Sequence, residues 1–242
     1  MPKNQRTPAA EPLNPLTVLA EGDIALEGRL PWSSNGAYLA VASLGGCDVR
    51  CIYKPHRRER PLWDFPDGLF HREVAAYEVS AALGWGIVPE TVLRADAPAG
   101  PGSLQRFVEA DFEEHYFTLL EHERWHDDLR RIAVFDLVVN NADRKSGHCL
   151  LAYDHIWGID NGLCFHVEPK LRTVIWEFGD DPMPDSLRGD LRALATTPPA
   201  SLERLLTEEE TAVLCRRAVA VARLERLPDP GPDRRPYPWP LV

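Results

Sequence analysis

Four residues, far apart in the chain, have the types that phosphoryl transfer requires: Lys54, Glu73, Asp143 and Asp160. Moving a phosphoryl group asks little covalent chemistry of a protein. It needs a cation on the phosphates, oxygen ligands for a metal, and a group that orients the attacking hydroxyl. Lys54 closes the run Cys51-Ile52-Tyr53-Lys54-Pro55, where its ammonium can reach α- and β-phosphates. Glu73 follows early in a helix-like stretch and can hold that lysine extended. Asp143 sits in Asn141-Ala142-Asp143-Arg144-Lys145-Ser146-Gly147, a loop able to receive or orient a hydroxyl proton, and Asp160 opens Asp160-Asn161-Gly162, placing a carboxylate for magnesium. Singly, each has a plainer reading, since a lysine before proline is commonly a strand end and Asp-Asn-Gly commonly a turn. Their order supplies the argument.

The elements around these residues must bring them together. Gly36–Ser43 and Asp48–Lys54 read as two strands about a Leu44-Gly45-Gly46 turn. Phe70–Gly84 has helical spacing, with Val74, Tyr77 and Ala81 on one face and Gly84 as its stop. Two short strands are expected in Ile87–Arg94 and Ser103–Ala110. Asp127–Asn140 repeats apolar residues at Leu129, Ile132, Ala133, Phe135 and Val139, the pattern of a buried helix opened by acidic residues. His148–Tyr153 and His155–Asp160 then form a hairpin turning at Tyr153-Asp154, which returns the chain so that Asp143 and Asp160 open on one cleft. From about Ser186 the pattern is mostly helical. Strands with one helix, followed by helices, predict an α+β protein with a cleft between a sheet lobe and a helical lobe. The expected divisions are a flexible arm (1–15), a sheet lobe (16–108), a helical lobe (109–227) and a Pro-rich tail (228–242).

Several blocks resemble the type II phosphatidylinositol 4-kinases, in that family's order. Glu73–Thr91 is similar to their glutamate-bearing helix and following strand, Gly102–Ala110 to their hinge, and Asn140–Leu151 with Gly158–His166 to their catalytic and metal-binding loops; Ser33–Ala40 and Cys51–Pro55 complete the set. The likeness spans Ser33 to His166, over half the chain. It implies a two-lobed protein-kinase-like fold that binds ATP with Mg2+ or Mn2+. Position by position, it implies that Ser33, Ser34, Asn35 and Gly36 lie over the phosphates, with Lys54 the phosphate lysine and Glu73 its ion-pair partner. The backbone of Gln105 and of Phe107 or Val108 would bond adenine. Asp143 would be catalytic, Lys145 would approach the γ-phosphate, and Asp160 would hold metal. Where the family places a metal-binding asparagine, five residues after Asp143, this chain has His148. Imidazole suits transition metals better than magnesium, so His148 either stays outside the metal's shell or shifts preference toward manganese.

Composition limits the partners. A hydrophobic fraction of 44% over 242 residues supports a substantial core, and no run approaches the ~20 apolar residues of a spanning helix. Together with a first segment lacking the apolar centre of a secretory signal, this predicts a cytoplasmic protein. The five cysteines contain no C-x-x-C, and a zinc site from His148, Cys149, Cys164 and His166 would lack recognised spacing. A net charge of −10, with an acidic run from Glu109 to Asp128, argues against nucleic acid. The segment after the phosphate lysine, His56–Phe70, carries no cysteine for the lipid anchor that the family places there, although His56–Arg60 and the later Lys170 and Arg172 offer cationic contacts. The acceptor expected is a protein Ser/Thr hydroxyl, including the chain's own, or a soluble polyol. The alternatives are an inositol-lipid kinase and a nucleotide-binding pseudokinase. Oligomeric state is not written in the sequence.

Overall fold

The computed structural model describes residues 13–30, 36–230 and 236–241. Ser33, Ser34 and Asn35 therefore lie outside the described residues. Helix α1 (Pro15–Glu21) starts where the Asn14 side chain accepts from the Leu16 N–H at 2.9 Å and Pro15 takes the first turn, a position whose N–H has no helical partner. Strand β1 (Asp23–Arg29) follows, then β2 (Tyr38–Leu44) and β3 (Cys47–Pro55). Gly45 and Gly46 join β2 to β3 with φ of 57° and 82°, the left-handed geometry of a two-residue hairpin turn. After α2 (Leu69–Ala82) come β4 (Thr91–Arg94) and β5 (Gly102–Arg106), giving an antiparallel sheet in the order β1-β2-β3-β5-β4. Along β3, Cys51 and Tyr53 enter a core with Val18, Leu19, Ala40, Ala42 and Leu104. The pleat then sends Lys54 to the opposite face, toward α2.

The second lobe holds α3 (Tyr116–Leu120), α4 (His126–Val139), a hairpin of β6 (Cys149–Ala152) and β7 (His155–Gly158), and the helices α5 (Asp185–Thr196) and α6 (Glu208–Ala222). The expected α4 residues Leu129, Ile132, Phe135 and Val139 are fully or almost fully buried, packed with Leu191 and Leu194 of α5 and Leu214 and Ala218 of α6. Helix α6 opens with reciprocal bonds, Glu210 N–H to Thr207 Oγ1 at 3.2 Å and Thr207 N–H to Glu210 Oε2 at 2.9 Å. Arg72 on α2 joins the lobes, donating to the Cys164 carbonyl at 2.6 Å and pairing with Glu210. The architecture is the two-lobed α+β fold expected. No helix among the described residues is long and apolar enough to cross a membrane.

Three details differ from expectation. Helix α1 and strand β1 had no counterpart in the sequence reading. On α2, Val74 is buried and Tyr77 half-buried, but Ala81 is exposed; burial runs through Phe70, Glu73, Val74, Ala76 and Val79, because this helix is covered on two sides. The Pro-rich tail is tied to the second lobe at 236–241, where the Pro236 carbonyl accepts from Thr173 N–H and the Leu241 carbonyl from Ser146 N–H, each at 2.9 Å.

Candidate functional site

Lys54, Glu73 and Asp160 come from three different elements and meet in one place. The Lys54 ammonium bonds Asp160 Oδ1 at 2.6 Å and pairs with Glu73, whose other oxygen accepts from the Asn161 N–H at 3.1 Å. Burial opposes the lysine's charge, yet the two carboxylates outweigh it and hold the ammonium above its ordinary value. Lys54 in turn holds Asp160 well below the usual carboxylate range, while burial pushes Glu73 up against the lysine's pull. Asp160 takes φ of 57°, a conformation Asp tolerates better than most residues, and its side chain keeps 45% of its surface exposed, so the carboxylate is reachable from solvent.

Asp143 lies on the other side, at the end of the loop after α4. Its N–H donates to Asn141 Oδ1 at 2.9 Å, and its carboxylate faces the Lys145 ammonium at 3.3 Å. Burial pushes the Asp143 carboxyl up to about 6, with Lys145 pulling it down and Asp160 pushing it up. His148 stands between the two aspartates in sequence and beside Asp160 in space, Nε2 lying 3.4 Å from Asp160 Oδ2. Burial pushes its imidazole down to about 4, so it is neutral at pH 7. The Lys145 N–H donates to His148 Nδ1 at 3.4 Å, which leaves the proton of the neutral ring on Nε2, toward Asp160.

Beneath these groups is a buried network the sequence reading missed. Arg144, fully buried, forks onto both oxygens of the equally buried Asp136 on α4, the shortest contact being 2.9 Å. It also donates to Asn161 Oδ1 and the Ile159 carbonyl, each at 2.8 Å. Asp136 further accepts from Asn141 Nδ2 at 3.1 Å and Thr173 Oγ1 at 3.3 Å. One charge pair thus anchors the loop bearing Asp143 through Asn141 and the turn bearing Asp160 through Asn161. Backbone bonds from Ala142 to Leu163, Arg172 to Asn141 and Arg144 to Arg172 stitch the same segments. Gly158 leaves room for this arrangement, since a Cβ there would lie 2.8 Å from Ile87 and 3.4 Å from the Arg144 guanidinium.

Other expectations are redrawn. Gln105 is paired on both sides within β5, and the Phe107 N–H donates to the Arg50 carbonyl at 2.9 Å, so neither backbone N–H faces a ligand. The Val108 N–H has no partner among the described residues, and its side chain packs with Leu150 and Ala152, near Ala110, Trp157 and Ile159. Gly36 is described, with φ of 61°. Lys170 is engaged by Asp64 at 3.5 Å and Glu168 at 3.8 Å, whereas the Arg172 side chain has no bonded partner among the described residues. His148, Cys149, Cys164 and His166 do not gather within metal-holding distance; burial pushes the Cys149 thiol up to about 12 and Cys164 well above the ordinary range. Among the described residues, His56, Glu59 and Asp67 are close enough to share an ion, but both Glu59 oxygens already accept the N–H groups of Gly68, Leu69 and Phe70 at the start of α2. The hollow of about 420 Å³ lined by Ala82, Arg192–Leu194, Thr196 and Thr197 includes none of Lys54, Glu73, Asp143 and Asp160.

Compared with models of known protein families, the chain matches none. It is 39% identical to protein Rv2133c of Mycobacterium tuberculosis over 263 aligned positions, covering 92% of this chain and 94% of that protein. Among solved structures it is similar to the Golgi casein kinase with Mn/ADP bound, with a TM-score of 0.52 and 12% identity, covering 86% of this chain and 73% of that one. It is also similar to hydra Fam20 with sugar, with a TM-score of 0.52 and 14% identity, covering 85% of each chain. These likenesses show a shared fold. The identity and coverage to Rv2133c place the chain in that protein's family.

Proposed function

We propose that this member of the Rv2133c family is an ATP-dependent phosphotransferase that passes the γ-phosphate to a hydroxyl, on a protein Ser/Thr side chain or a soluble polyol. The observation that carries the reading is the convergence of Lys54, Glu73 and Asp160 at one partly open point, with Asp143 and Lys145 beside it. Lys54 meets the α- and β-phosphates, and Glu73 keeps it extended. Asp143, with a carboxyl near 6, receives or orients the acceptor's proton, and Lys145 faces the charge that develops on the transferred group. Gly36, with a left-handed φ of 61°, borders the phosphates. Of the three hinge candidates, the free donor of Val108 is the one suited to adenine, so the lobes divide at 108/109.

The donor set fits a divalent cation. Three carboxylates, Glu73, Asp143 and Asp160, face two ammonium groups, Lys54 and Lys145, leaving one carboxylate in excess, while His148 is neutral. Asp160 is ionised, partly exposed and offers the hard oxygen that magnesium or manganese takes. Such an ion supplies charge neutralisation on the nucleotide phosphates. His148 stands beside this ligand, its Nε2 lying 3.4 Å from Asp160 Oδ2. The Mn/ADP bound to the Golgi casein kinase supports the same pair of ligands here.

Labelled ATP with magnesium or manganese tests the reading. Wild type is expected to label itself or an acceptor, or to hydrolyse ATP; Asp143→Asn should lower turnover while keeping the nucleotide-induced thermal shift, and Lys54→Met and Asp160→Ala should lose that shift. A wild type indistinguishable from Asp143→Asn would refute the role of Asp143. The pseudokinase alternative is favoured by one feature, His148 where the resemblance places a metal-binding asparagine; its signature is binding without turnover. The inositol-lipid alternative requires association with inositol-lipid vesicles in flotation, and none of the five cysteines lies in His56–Phe70 to anchor it.

A further inference from the structure

We propose that residues 236–241 are a working part of this site, a brace that holds the Asp143 loop in its productive shape. The inference rests on the phosphotransferase reading for its effect on rate, but its geometry stands apart from it. The Leu241 carbonyl accepts from the Ser146 N–H at 2.9 Å, and the Pro236 carbonyl accepts from the Thr173 N–H at 2.9 Å and from Trp176 Nε1 at 3.2 Å. Ser146 follows Lys145 directly and lies three residues after Asp143. Thr173 follows Arg172, whose carbonyl takes the Arg144 N–H, and its own hydroxyl bonds Asp136. The tail therefore grips both strands of chain that carry the Asp143 loop. Ser146 and Thr173 are buried with the tail in place, and without it each N–H would lose its protein acceptor.

The contacts are those of a brace, not a plug. No bond from 236–241 reaches Lys54, Asp143, Lys145 or Asp160 among the described residues, and the Tyr237 and Trp239 side chains are exposed. Pro236, Pro238 and Pro240 restrict the segment's backbone, which lowers the conformational freedom lost on docking.

Two variants test the proposal. Deleting 236–242 is expected to cut kcat about tenfold or more, the scale of a small misplacement at a reacting centre. The KM for ATP should stay within about twofold, as nucleotide contacts are untouched. A synthetic peptide of residues 228–242 added in trans should restore rate, and the Ser146 and Thr173 amides should lose hydrogen-exchange protection on deletion. Ser146→Pro removes the single donor to Leu241 on a backbone that accepts proline, because Ser146 begins a short 3-10 turn and Lys145 is extended, with φ −89° and ψ 166°. It should reproduce much of the loss in kcat without altering the fold, and it serves if the deletion does not fold. Unchanged or raised turnover in either variant overturns the brace, a rise meaning that the tail obstructs the site. Should wild type show no turnover at all, the phosphotransferase reading fails while amide protection still decides the brace: protection retained at Ser146 and Thr173 after deletion refutes it.

Discussion

Arg144 and Asp136 allow the sharpest test of how this site is held. Both side chains are fully buried, and the guanidinium reaches both Asp136 oxygens, Asn161 Oδ1 and the carbonyls of Ile159 and His148. Arg144→Met keeps roughly the length of the side chain and removes every one of these donors. Asp136 is then a buried carboxylate with only Asn141 and Thr173 to satisfy it. Breaking a buried pair from one side costs about 3–5 kcal/mol, because the remaining charge is uncompensated. For a chain of this size each kcal/mol corresponds to about 2–4 °C, so the melting transition should fall by about 6–20 °C. Asp136→Leu should cost a similar amount, leaving a buried cation instead.

The double variant is the informative one. Removing both charges leaves no uncompensated ion, so urea denaturation should show Arg144→Met/Asp136→Leu less destabilised than the sum of the singles by about 2 kcal/mol or more. Additivity within about 0.5 kcal/mol would mean the two residues act independently, and the proposed network would be refuted. So would a loss below about 1 kcal/mol for Arg144→Met alone. At temperatures where Arg144→Met stays folded, turnover should fall further than nucleotide affinity, because Asn141 and Asn161 lose their shared anchor.

Three further outcomes follow from the same geometry. Lys145 lowers the Asp143 pKa, and the reactive form of Asp143 is the carboxylate; turnover should therefore rise with pH through about 6 in wild type, and Lys145→Gln should move that limb to higher pH, a limb that stays or falls refuting the pairing. His148→Asn places a hard oxygen beside Asp160, so magnesium-supported turnover should rise relative to manganese-supported turnover; an unchanged ratio puts position 148 outside the metal's reach. Glu59→Ala strips three backbone N–H groups at the start of α2 of their acceptor and should cost about 1–2 kcal/mol in chemical denaturation, while a change under about 0.3 kcal/mol would show that the cap is idle.

The parts of this fold that were legible in the sequence are those written in local patterns. Helix α4 repeats its apolar residues at helical spacing, the β2–β3 hairpin announces its turn with Gly45-Gly46, and β6–β7 turns at Tyr153-Asp154 as the pattern indicates. Strand β1 carries no such pattern because it is an edge strand with six of its seven residues exposed, so one buried face never imposes alternation. The hinge candidates could not be ranked from the sequence for a different reason. Which of Gln105, Phe107 and Val108 keeps a donor depends on the register of β5 against β3 and on the Arg50 carbonyl, and register is a property of the pair rather than of either strand.

Asp136 carries a signal of its own in the sequence. It interrupts the apolar run Ile132–Val139 of a helix otherwise bound for the core, and a carboxylate there must find a cation and hydrogen-bond donors or forfeit its charge. The loop that follows supplies them within a few residues, as Asn141 and Arg144. The convergence of Lys54, Glu73, Asp143 and Asp160 depends on the same fact. Lys54 and Glu73 are joined to the Asp160 turn by their own bonds, while the Asp143 loop and the Asp160 turn are held together by the charge pair buried beneath them.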